Sequence, residues 1–287
     1  MMTYKRRDFL KVGGSFAAGL AILPMGCDFV VKTEVAKNTF GLQLYSLRDV
    51  IPADPKGVLK QVASFGYKQI ESYEGAQGMF WGMKNTEFKK YIGDLGLDMV
   101  SSHCDIDKDF EKKAAEAAEI GMNYLICPWR SQETLDDYKR VAEDFNAKGE
   151  ICKSNGIRFA YHNHAYSFNL VEDEYPQDIF MAGTDASLVD YEMDIYWVVT
   201  GGQDPKTWFE KYPNRFKLCH VKDRIKDTTE DEATCTLGTG SIDFPSILAA
   251  GKKQGLEYFI VEQERYDGST PIESVKEDAA YMAKLKL

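Results

Sequence analysis

From residue 39 onward, short apolar segments alternate with longer segments in which apolar residues recur at helical spacing. The alternation continues to the end of the chain without a linker, so it constrains the fold more than any other feature. A strand followed by a helix pairs with the next strand in parallel, because a parallel pair needs a crossover connection. The pattern predicts strands at 40–45, 67–72, 98–103, 124–128, 157–162, 188–195, 216–221 and 258–262, and helices near 55–65, 86–95, 110–120, 134–154, 176–182, 205–212 and 244–254 and from 271 onward.

Eight strand–helix units in roughly 250 residues are what a closed parallel barrel requires. We therefore predict the α/β class and a single (β/α)8 TIM barrel over residues 39–287. An open, doubly wound sheet is the alternative. Such a sheet usually contains fewer units, and no GxGxxG sequence follows the first predicted strand.

The residues before the barrel carry the features of a bacterial export signal. Arg6 and Arg7 form a twin-arginine stretch, an apolar run covers 12–23, and Cys27 closes a segment that resembles a lipoprotein cleavage site. We predict a twin-arginine-type signal peptide over 1–27 and a short linker over 28–38. The protein is then exported, and is either periplasmic or anchored on the periplasmic side of the membrane by lipid on Cys27. A buried N-terminal helix is the alternative for this segment.

The overall charge narrows the range of partners. The chain has 35 basic and 45 acidic side chains and a formal net charge of −10. Proteins that bind nucleic acid present clustered Lys and Arg to the phosphate groups. We therefore expect no nucleic-acid partner, while a homo-oligomer is compatible with the sequence.

All four histidines of the chain fall at predicted strand ends, where a TIM barrel builds its active site. His103 ends the third strand, His162 and His164 lie at the end of the fifth, and His220 lies at the end of the seventh. Histidines placed by chance would be scattered over helices and surface. The clustering predicts that the carboxyl ends of the strands form the functional end of the barrel.

Alternation along the sixth strand adds carboxylates to the same place. Residues two apart in a strand face the same side, so Glu192 and Asp194 share a face and the apolar residues beside them form the other. The apolar face must pack on the helices, which turns the acidic face into the barrel, where isolated charges are costly. A divalent metal ion (Mn, Mg, Zn or Fe) bound by Asp194, His220 and Glu262 resolves this cost. A structural ion-pair network with Lys222 is the alternative.

Further polar and aromatic residues are expected at the same end of the barrel. Glu71, at the end of the second strand, and Lys222, on the His220 face, are candidate catalytic residues. The glycine loop at 238–243 either cradles an anion or forms a tight turn before a helix. The candidates for substrate binding are Gln43, Arg48, His103, Trp129, Arg130 and Trp197.

Several motifs follow one another at the spacing of barrel units. Together they resemble the xylose isomerase-like TIM-barrel family, specifically its exported sugar phosphate isomerase/epimerase branch, over about 39–287. The motifs are Tyr161-His-Asn-His164, Glu192-Met-Asp-Ile-Tyr-Trp197, His220-Val-Lys-Asp223, Gly238-Thr-Gly-Ser-Ile-Asp-Phe244 and Phe259-Ile-Val-Glu-Gln-Glu264.

The resemblance implies a divalent metal, with Asp194, His220 and Glu262 as three of its ligands. Epimerases of the family carry a glutamate at the end of strand five as fourth ligand and proton acceptor, whereas this sequence has His162 there. His162 is therefore predicted both as the fourth ligand and, with His164, as a candidate catalytic base.

The family contains ketose epimerases, sugar isomerases, inosose dehydratase-like enzymes and endonuclease IV. We expect first a divalent-metal-dependent sugar isomerase/epimerase that abstracts a proton next to a carbonyl of a monosaccharide or related polyol. A metal-dependent lyase or hydratase acting on 3-keto-glycosides or inososes is the second expectation, favoured by the histidine base. A non-catalytic sugar-binding barrel is the third. Four histidines and an acidic chain argue against a DNA-binding endonuclease.

Overall fold

The structure is a computed structural model, and it describes residues 39–285. The predicted signal peptide, Cys27 and the linker over 28–38 lie outside the described residues, as do the last two positions of the predicted barrel domain.

Eight parallel strands close into a barrel in which each strand pairs with its neighbours in the chain. The eighth strand pairs with the first, through Gly41 beside Ile260, and this pairing closes the cylinder. The predicted single (β/α)8 barrel is confirmed. The strands are β1 (Gly41–Gln43), β2 (Gln69–Tyr73), β3 (Asp98–His103), β4 (Tyr124–Cys127), β5 (Arg158–His162), β6 (Val189–Asp194), β7 (Phe216–Val221) and β8 (Tyr258–Val261).

Helices connect the strands and cover the outside of the barrel. The first shows how local sequence sets their ends: the Asp54 side chain accepts a hydrogen bond from Gly57 N at 2.9 Å, and Gly66, at φ 107°, ends the helix in the left-handed region. The helices are α1 (Pro55–Phe65), α2 (Asn85–Asp94), α3 (Phe110–Glu119), α4 (Leu135–Ser154), α5 (Pro176–Gly183), α6 (Ile195–Thr200), α7 (Pro205–Lys211), α8 (Phe244–Lys253) and α9 (Pro271–Met282).

Four of the predicted strands end later than the observed strands, and in two of them a helical turn or helix begins at once at the functional end. The first strand ends at Gln43, and Leu44–Leu47 forms a 3-10 turn whose first free amide, Tyr45 N, is bound by the Gln43 side chain at 3.0 Å. The sixth strand ends at Asp194, and the residues after it form α6 rather than a loop. Asp194 Oδ1 accepts a hydrogen bond from Trp197 N at 3.0 Å. This cap starts a helix directly at the strand end.

The barrel has two apolar layers and one polar region. A large cluster fills the space between strands and helices, while a small one inside the barrel contains Tyr124, Ile126 and Leu218. Asp190 lies in this inner layer, where Arg158 pairs with it and the Tyr124 hydroxyl donates to it at 3.1 Å. The acidic face of β6 therefore points inward, and the polar residues beyond Asp190 occupy the carboxyl end of the barrel.

Within residues 39–285, no helix is long and apolar enough to cross a membrane.

Candidate active site

Asp194, His220 and Glu262 converge from three adjacent strands. Asp194 ends β6, His220 lies one residue before the end of β7, and Glu262 directly follows β8. The Nδ1 atom of His220 lies 3.1 Å from Glu262 Oε2 and 3.6 Å from Asp194 Oδ2. One ligand atom from each residue lies within 4.8 Å of the other two, and all three side chains are buried. Their separation is therefore short enough for one ion to bridge them.

The chemistry of this group fits a divalent cation. Asp194 Oδ2 is buried and accepts no hydrogen bond from the described residues. Burial alone would raise the pKa of Asp194, but the charge of Lys222 and contacts with His162 and His220 hold it well below its ordinary value. A charged carboxylate oxygen without a donor, beside an imidazole and a second carboxylate, is a typical set of metal ligands. The residues present therefore suit the divalent ion that the sequence predicts.

His162 lies against the same group. Its Nε2 atom is 3.4 Å from Asp194 Oδ2 and 3.2 Å from His220 Nδ1, and its Nδ1 atom is 3.4 Å from the carbonyl oxygen of Pro128. Burial, together with His220 and His103, lowers the pKa of His162 to about 4, so the ring is neutral. A neutral ring that donates from Nδ1 to a carbonyl keeps a lone pair on Nε2, directed at the other ligand atoms. This arrangement suits the ligand role better than the role of base.

A second group lies around the other nitrogen of His220. Glu71 Oε1 is 2.7 Å from His220 Nε2 and 3.2 Å from His103 Nε2, while Glu192 Oε2 is 2.9 Å from His103 Nε2 and 3.3 Å from His220 Nε2. Burial lowers the pKa of His103, but Glu71 and Glu192 outweigh it and raise that pKa to about 9. Burial and the charge of Glu71 raise the pKa of Glu192 to about 7. Because the Nε2 atoms of His103 and His220 both contact the two carboxylates, both imidazole rings are held in position.

Glu71 does not occupy the catalytic position that the sequence predicts. Its side chain is fully buried and lines neither of the two cavities at this end of the barrel, because Ser101 Oγ (2.6 Å) and Gln43 Nε2 (2.7 Å) donate to it and His220 covers it. Glu71 can therefore affect the reaction only by positioning His220. Glu192 is not among the predicted site residues, although alternation along the strand places it on the same inward face as Asp194.

Lys222 supplies a positive charge to the site. Its ammonium group lies 3.1 Å from Glu262 Oε2, contacts Glu264 Oε1, and is 3.8 Å from Asp194 Oδ2. Burial would lower the pKa of Lys222, but these carboxylates raise it above its ordinary value. The lysine is therefore a charged partner of the carboxylates, placed beside the ligand group.

A cavity of about 370 Å³ opens over the ligand group. The His164 ring lies in its wall, 4.6 Å from the Trp129 ring and 5.4 Å from the Trp197 ring between centroids. Burial and the neighbouring His162 lower the pKa of His164 well below its ordinary value, so this ring is also neutral. Trp129 is exposed over 55% of its surface, which leaves its ring free to meet a ligand. The cavity is lined by Tyr45, Tyr73, Glu74, His103, Cys104, Asp105, Pro128, Trp129, His162, His164, Glu262 and Glu264.

Two residues predicted to bind substrate lie elsewhere. Gln43 is buried and bonded to Glu71, so it supports the site from beneath. The Arg130 guanidinium donates to Asp107 at 2.6 Å and lines neither of the two cavities at this end. Both residues lie near strand ends, as the sequence predicts, but their side chains face other partners. Of the other predicted binding residues, His103 and Trp129 line the first cavity, and Arg48 and Trp197 line an adjoining second one.

The glycine loop at 238–243 encloses a carboxylate of the chain itself. Asp223 Oδ2 accepts hydrogen bonds from Gly238 N and Gly240 N at 2.9 Å each, and Asp223 Oδ1 accepts one from Ile242 N at 3.2 Å. A Cβ atom on Gly240 would lie 2.3 Å from Asp223 Oδ1, so only glycine permits this approach. Of the two sequence interpretations, the structure supports the tight turn, because the amides that an external anion would need are already bound.

Comparison with known proteins places this site in context. The family model for the xylose isomerase-like TIM barrel matches residues 59–285. A sugar phosphate isomerase/epimerase structure from Parabacteroides distasonis is 32% identical, has a TM-score of 0.76 and covers 88% of this chain and 96% of that one. An IolI protein structure with a bound zinc atom has a TM-score of 0.67 at 15% identity, which shows a shared fold.

Curated relatives carry a different name. An inosose dehydratase from Clostridium beijerinckii is 27% identical over 172 residues, which are 55% of this chain and 54% of that protein. The chain thus spans about half the length of this relative. The match of the family model over most of the chain, together with the closed barrel, shows that the chain belongs to the xylose isomerase-like TIM barrel family.

Proposed function

We propose that the protein is a metal-dependent dehydratase of a cyclic polyhydroxy ketone of the inosose class. The observation that carries the proposal is the convergence of Asp194, His220 and Glu262, with His162 against Asp194 and His220, beneath a cavity with a neutral histidine in its wall. The name of the inosose dehydratase relatives supports the same chemistry. Elimination of water requires two groups in the site: one takes a proton from carbon, and the other gives a proton to the leaving hydroxyl.

The identity of the residue at the end of β5 favours elimination over epimerisation. Inverting a carbon centre needs an acid and a base on opposite faces of the substrate, and the family's epimerases supply a carboxylate from this strand. Here the position holds His162, whose Nε2 is directed at the ligand group, so it is poorly placed to exchange a proton with substrate. Loss of water next to a carbonyl needs no second base on the far face.

Asp194, His220, Glu262 and His162 would hold the ion. When bound there, a divalent ion would polarise the ketone oxygen and make the neighbouring carbon acid more easily deprotonated. The remaining residues of the cavity wall then have to orient the ring and move protons.

His164 takes the proton from the carbon next to the carbonyl, since its neutral ring lies in the cavity wall. The electron pair of that C–H bond forms the new C=C bond, and the C–O bond at the next carbon breaks. Glu264, which lines the cavity, passes a proton taken from solvent to the departing oxygen, so water leaves. Lys222 stays charged beside Glu264, and His164 then releases its proton to solvent, which closes the cycle.

A sugar isomerase/epimerase is the second candidate. The cavity carries two side chains that can exchange protons, His164 after β5 and Glu264 after β8. A substrate held between them could lose a proton to one group and regain one from the other. The Parabacteroides distasonis relative, named as a sugar phosphate isomerase/epimerase, supports this alternative.

Incubation of the Mn²⁺-loaded protein with an inosose and, separately, with ketohexoses in D₂O separates the candidates. A dehydratase yields a product lighter by one water, seen by mass spectrometry, only from the inosose. An epimerase yields a ketose of unchanged skeleton with deuterium on the carbon next to the carbonyl. Sugar binding that persists in EDTA without either product would contradict both and favour a non-catalytic barrel.

A further inference from the structure

The segment 262–266 follows β8 without forming a strand or a helix, yet it carries two carboxylates of the site. Glu262 belongs to the proposed ligand group, and Glu264 is the proposed proton donor. The Glu262 amide still donates to the Val221 carbonyl oxygen at 3.2 Å, as in the ladder between β7 and β8. Beyond that point the direction of the Glu264 side chain depends on contacts other than strand pairing.

Two side-chain hydroxyls accept the next three amides. Ser46 Oγ accepts a hydrogen bond from Gln263 N at 3.1 Å. Thr234 Oγ1 accepts one from Glu264 N at 3.1 Å and another from Arg265 N at 2.8 Å. A buried amide without an acceptor is costly, so each hydroxyl fixes the backbone that it bonds.

Side chains hold both backbone polar groups of Glu264. Its amide donates to Thr234 Oγ1, and its carbonyl oxygen accepts from Arg48 Nη2 at 3.0 Å. These two contacts set the direction in which the Glu264 side chain leaves the backbone. The carboxylate then reaches the wall of the first cavity, and Lys222 Nζ contacts it.

Thr234 is fixed by its own surroundings. It is only 4% exposed and lies in a two-stranded antiparallel ladder formed by Asp223–Arg224 and Thr234–Cys235. The first strand of this ladder begins directly after Lys222, so the ladder connects Thr234 to the end of β7. Thr234 lines the second cavity, but it belongs neither to the proposed ligand group nor to the wall of the first cavity. An effect of Thr234 on a substrate in the first cavity therefore has to pass through Glu264.

We infer that Thr234 is a positioning residue, which holds Glu264 where its carboxyl group can pass a proton to the substrate. The inference rests on the proposed function, in which Glu264 gives the leaving oxygen its proton. It also applies to the isomerase/epimerase candidate, in which Glu264 exchanges a proton with the sugar. Proton transfer requires the two heavy atoms to lie within hydrogen-bond reach. A misplacement of about 1 Å caused by a residue outside the chemistry can slow a reaction by about 100-fold.

Replacing the hydroxyl of Thr234 tests this role. Thr234→Val keeps the shape of the side chain and removes the acceptor, whereas Thr234→Ser keeps the hydroxyl. For the substrate that the parent turns over, we expect kcat to fall by about 10–100-fold in T234V, with KM and Mn²⁺ affinity unchanged, and to recover in T234S. A crystal structure of T234V should show the Glu264 carboxylate displaced from Lys222, with Glu262 in its parental position.

Thr184→Val is the matched control for a general loss of stability. Thr184 is also buried, and its hydroxyl accepts from Arg215 Nη2 at 2.7 Å and donates to the Phe180 carbonyl oxygen at 2.7 Å. It lines neither of the two cavities at this end of the barrel. T184V should lose stability to urea, as T234V does, and keep the kcat of the parent. Thr234→Ala repeats the removal of the hydroxyl in case T234V does not fold, which circular dichroism detects.

The positioning role would be overturned by a parental kcat in T234V, by a T234S variant as slow as T234V, or by an equal fall of kcat in T184V. A fall of Mn²⁺ affinity in T234V, or a Glu264 carboxylate that stays in place, would overturn it as well. Loss of the fold in both T234V and T234A would have the same meaning, because Thr234 would then be structural.

The parent protein separates this inference from the proposed function. A parent that turns over neither an inosose nor a ketohexose would remove the proposed function and, with it, the proton-donor role of Glu264. Turnover by the parent with an unaffected T234V would remove the positioning role alone and leave the proposed function standing.

Discussion

Glu71 Oε1 and His220 Nε2 lie 2.7 Å apart in the interior of the barrel, while the opposite ring nitrogen, His220 Nδ1, faces Asp194 and Glu262. A carboxylate that accepts from one nitrogen fixes the tautomer that leaves the other free to bind a metal ion. Gln43 and Ser101 in turn hold the carboxylate. The orientation of His220, a proposed metal ligand, thus depends on residues outside the proposed ligand group and the cavity.

Glu71→Gln should weaken metal binding without unfolding the barrel. Loss of the outer partner of a metal-binding histidine typically lowers affinity by about 10–100-fold. Titration calorimetry with Mn²⁺ measures the change. Ser101→Ala should lower the affinity less than Glu71→Gln does, because it removes only one donor to Glu71 Oε2 and leaves the contact with His220 intact. Equal affinities in E71Q and the parent would show that Glu71 does not position His220.

Glu262→Gln and Glu264→Gln form a second matched pair at one strand end. Glu262 belongs to the proposed ligand group and Glu264 does not. We expect E262Q to lose metal affinity by at least about 100-fold, more than the loss of an outer partner, and E264Q to keep it. Both variants should lose turnover, E264Q because the leaving oxygen no longer receives its proton. Tight metal binding in E262Q would be incompatible with the ligand group proposed here.

The two histidines at the end of β5 should give different kinetic results. His164→Asn removes the proposed base, so kcat should fall by about 10²–10⁴-fold while Mn²⁺ affinity stays within error of the parent. His162→Asn removes a proposed ligand, so Mn²⁺ affinity should fall with kcat. Steady-state kinetics and calorimetry on both variants check this. If H164N bound metal weakly and H162N bound it normally, the two assignments would be exchanged.

Asp278, on α9, should make stability depend on pH. Its carboxyl accepts from Leu237 N at 2.8 Å, but burial raises its pKa to about 8. The folded protein therefore keeps a proton on Asp278 at pH values where the unfolded chain has already released it. The free energy of unfolding is highest in acid and falls as the pH rises toward 8. In this range the free energy of unfolding should fall by about 1.4 kcal/mol per pH unit.

Asp278→Asn should remove that slope. Urea unfolding at about pH 5 and about pH 8 measures it, and the variant should gain stability relative to the parent at the higher pH. Glu273→Gln, at an exposed position of the same helix, should keep the slope of the parent. An unchanged slope in D278N would mean that Asp278 is ionised in the fold.

We propose that the full chain is exported and lipidated at Cys27, as the sequence motif suggests. In a bacterium with a twin-arginine pathway, labelling with radioactive palmitate should mark the parent and not Cys27→Ala. Replacing Arg6 and Arg7 by lysine should retain the protein in the cytoplasm, as seen by cell fractionation. An unlabelled parent found free in the periplasm would support export and exclude the anchor.

The barrel could be predicted from periodicity because each unit is specified locally. The apolar strand runs and the glycines after the early helices act over a few residues, so α1, α3 and α4 were placed within one residue of their observed ends. The helix α6 was missed because its start depends on the side chain of Asp194 bonding Trp197 N, and composition does not reveal a cap that is also a candidate ligand.

The sequence by itself determined which side chains face the interior, since alternation along a strand allows only two faces and the apolar one must meet the helices. It thereby placed Asp194, His220 and Glu262 at one end of the barrel. Closure of the sheet decided which of these side chains contact one another, because the stagger of neighbouring strands sets which atoms meet. That closure placed Glu71 beneath His220 and Arg130 beside Asp107. It also brought the amides of the glycine loop to the Asp223 carboxylate. Contacts between residues distant in the chain depend on distances in space, which a local pattern does not contain.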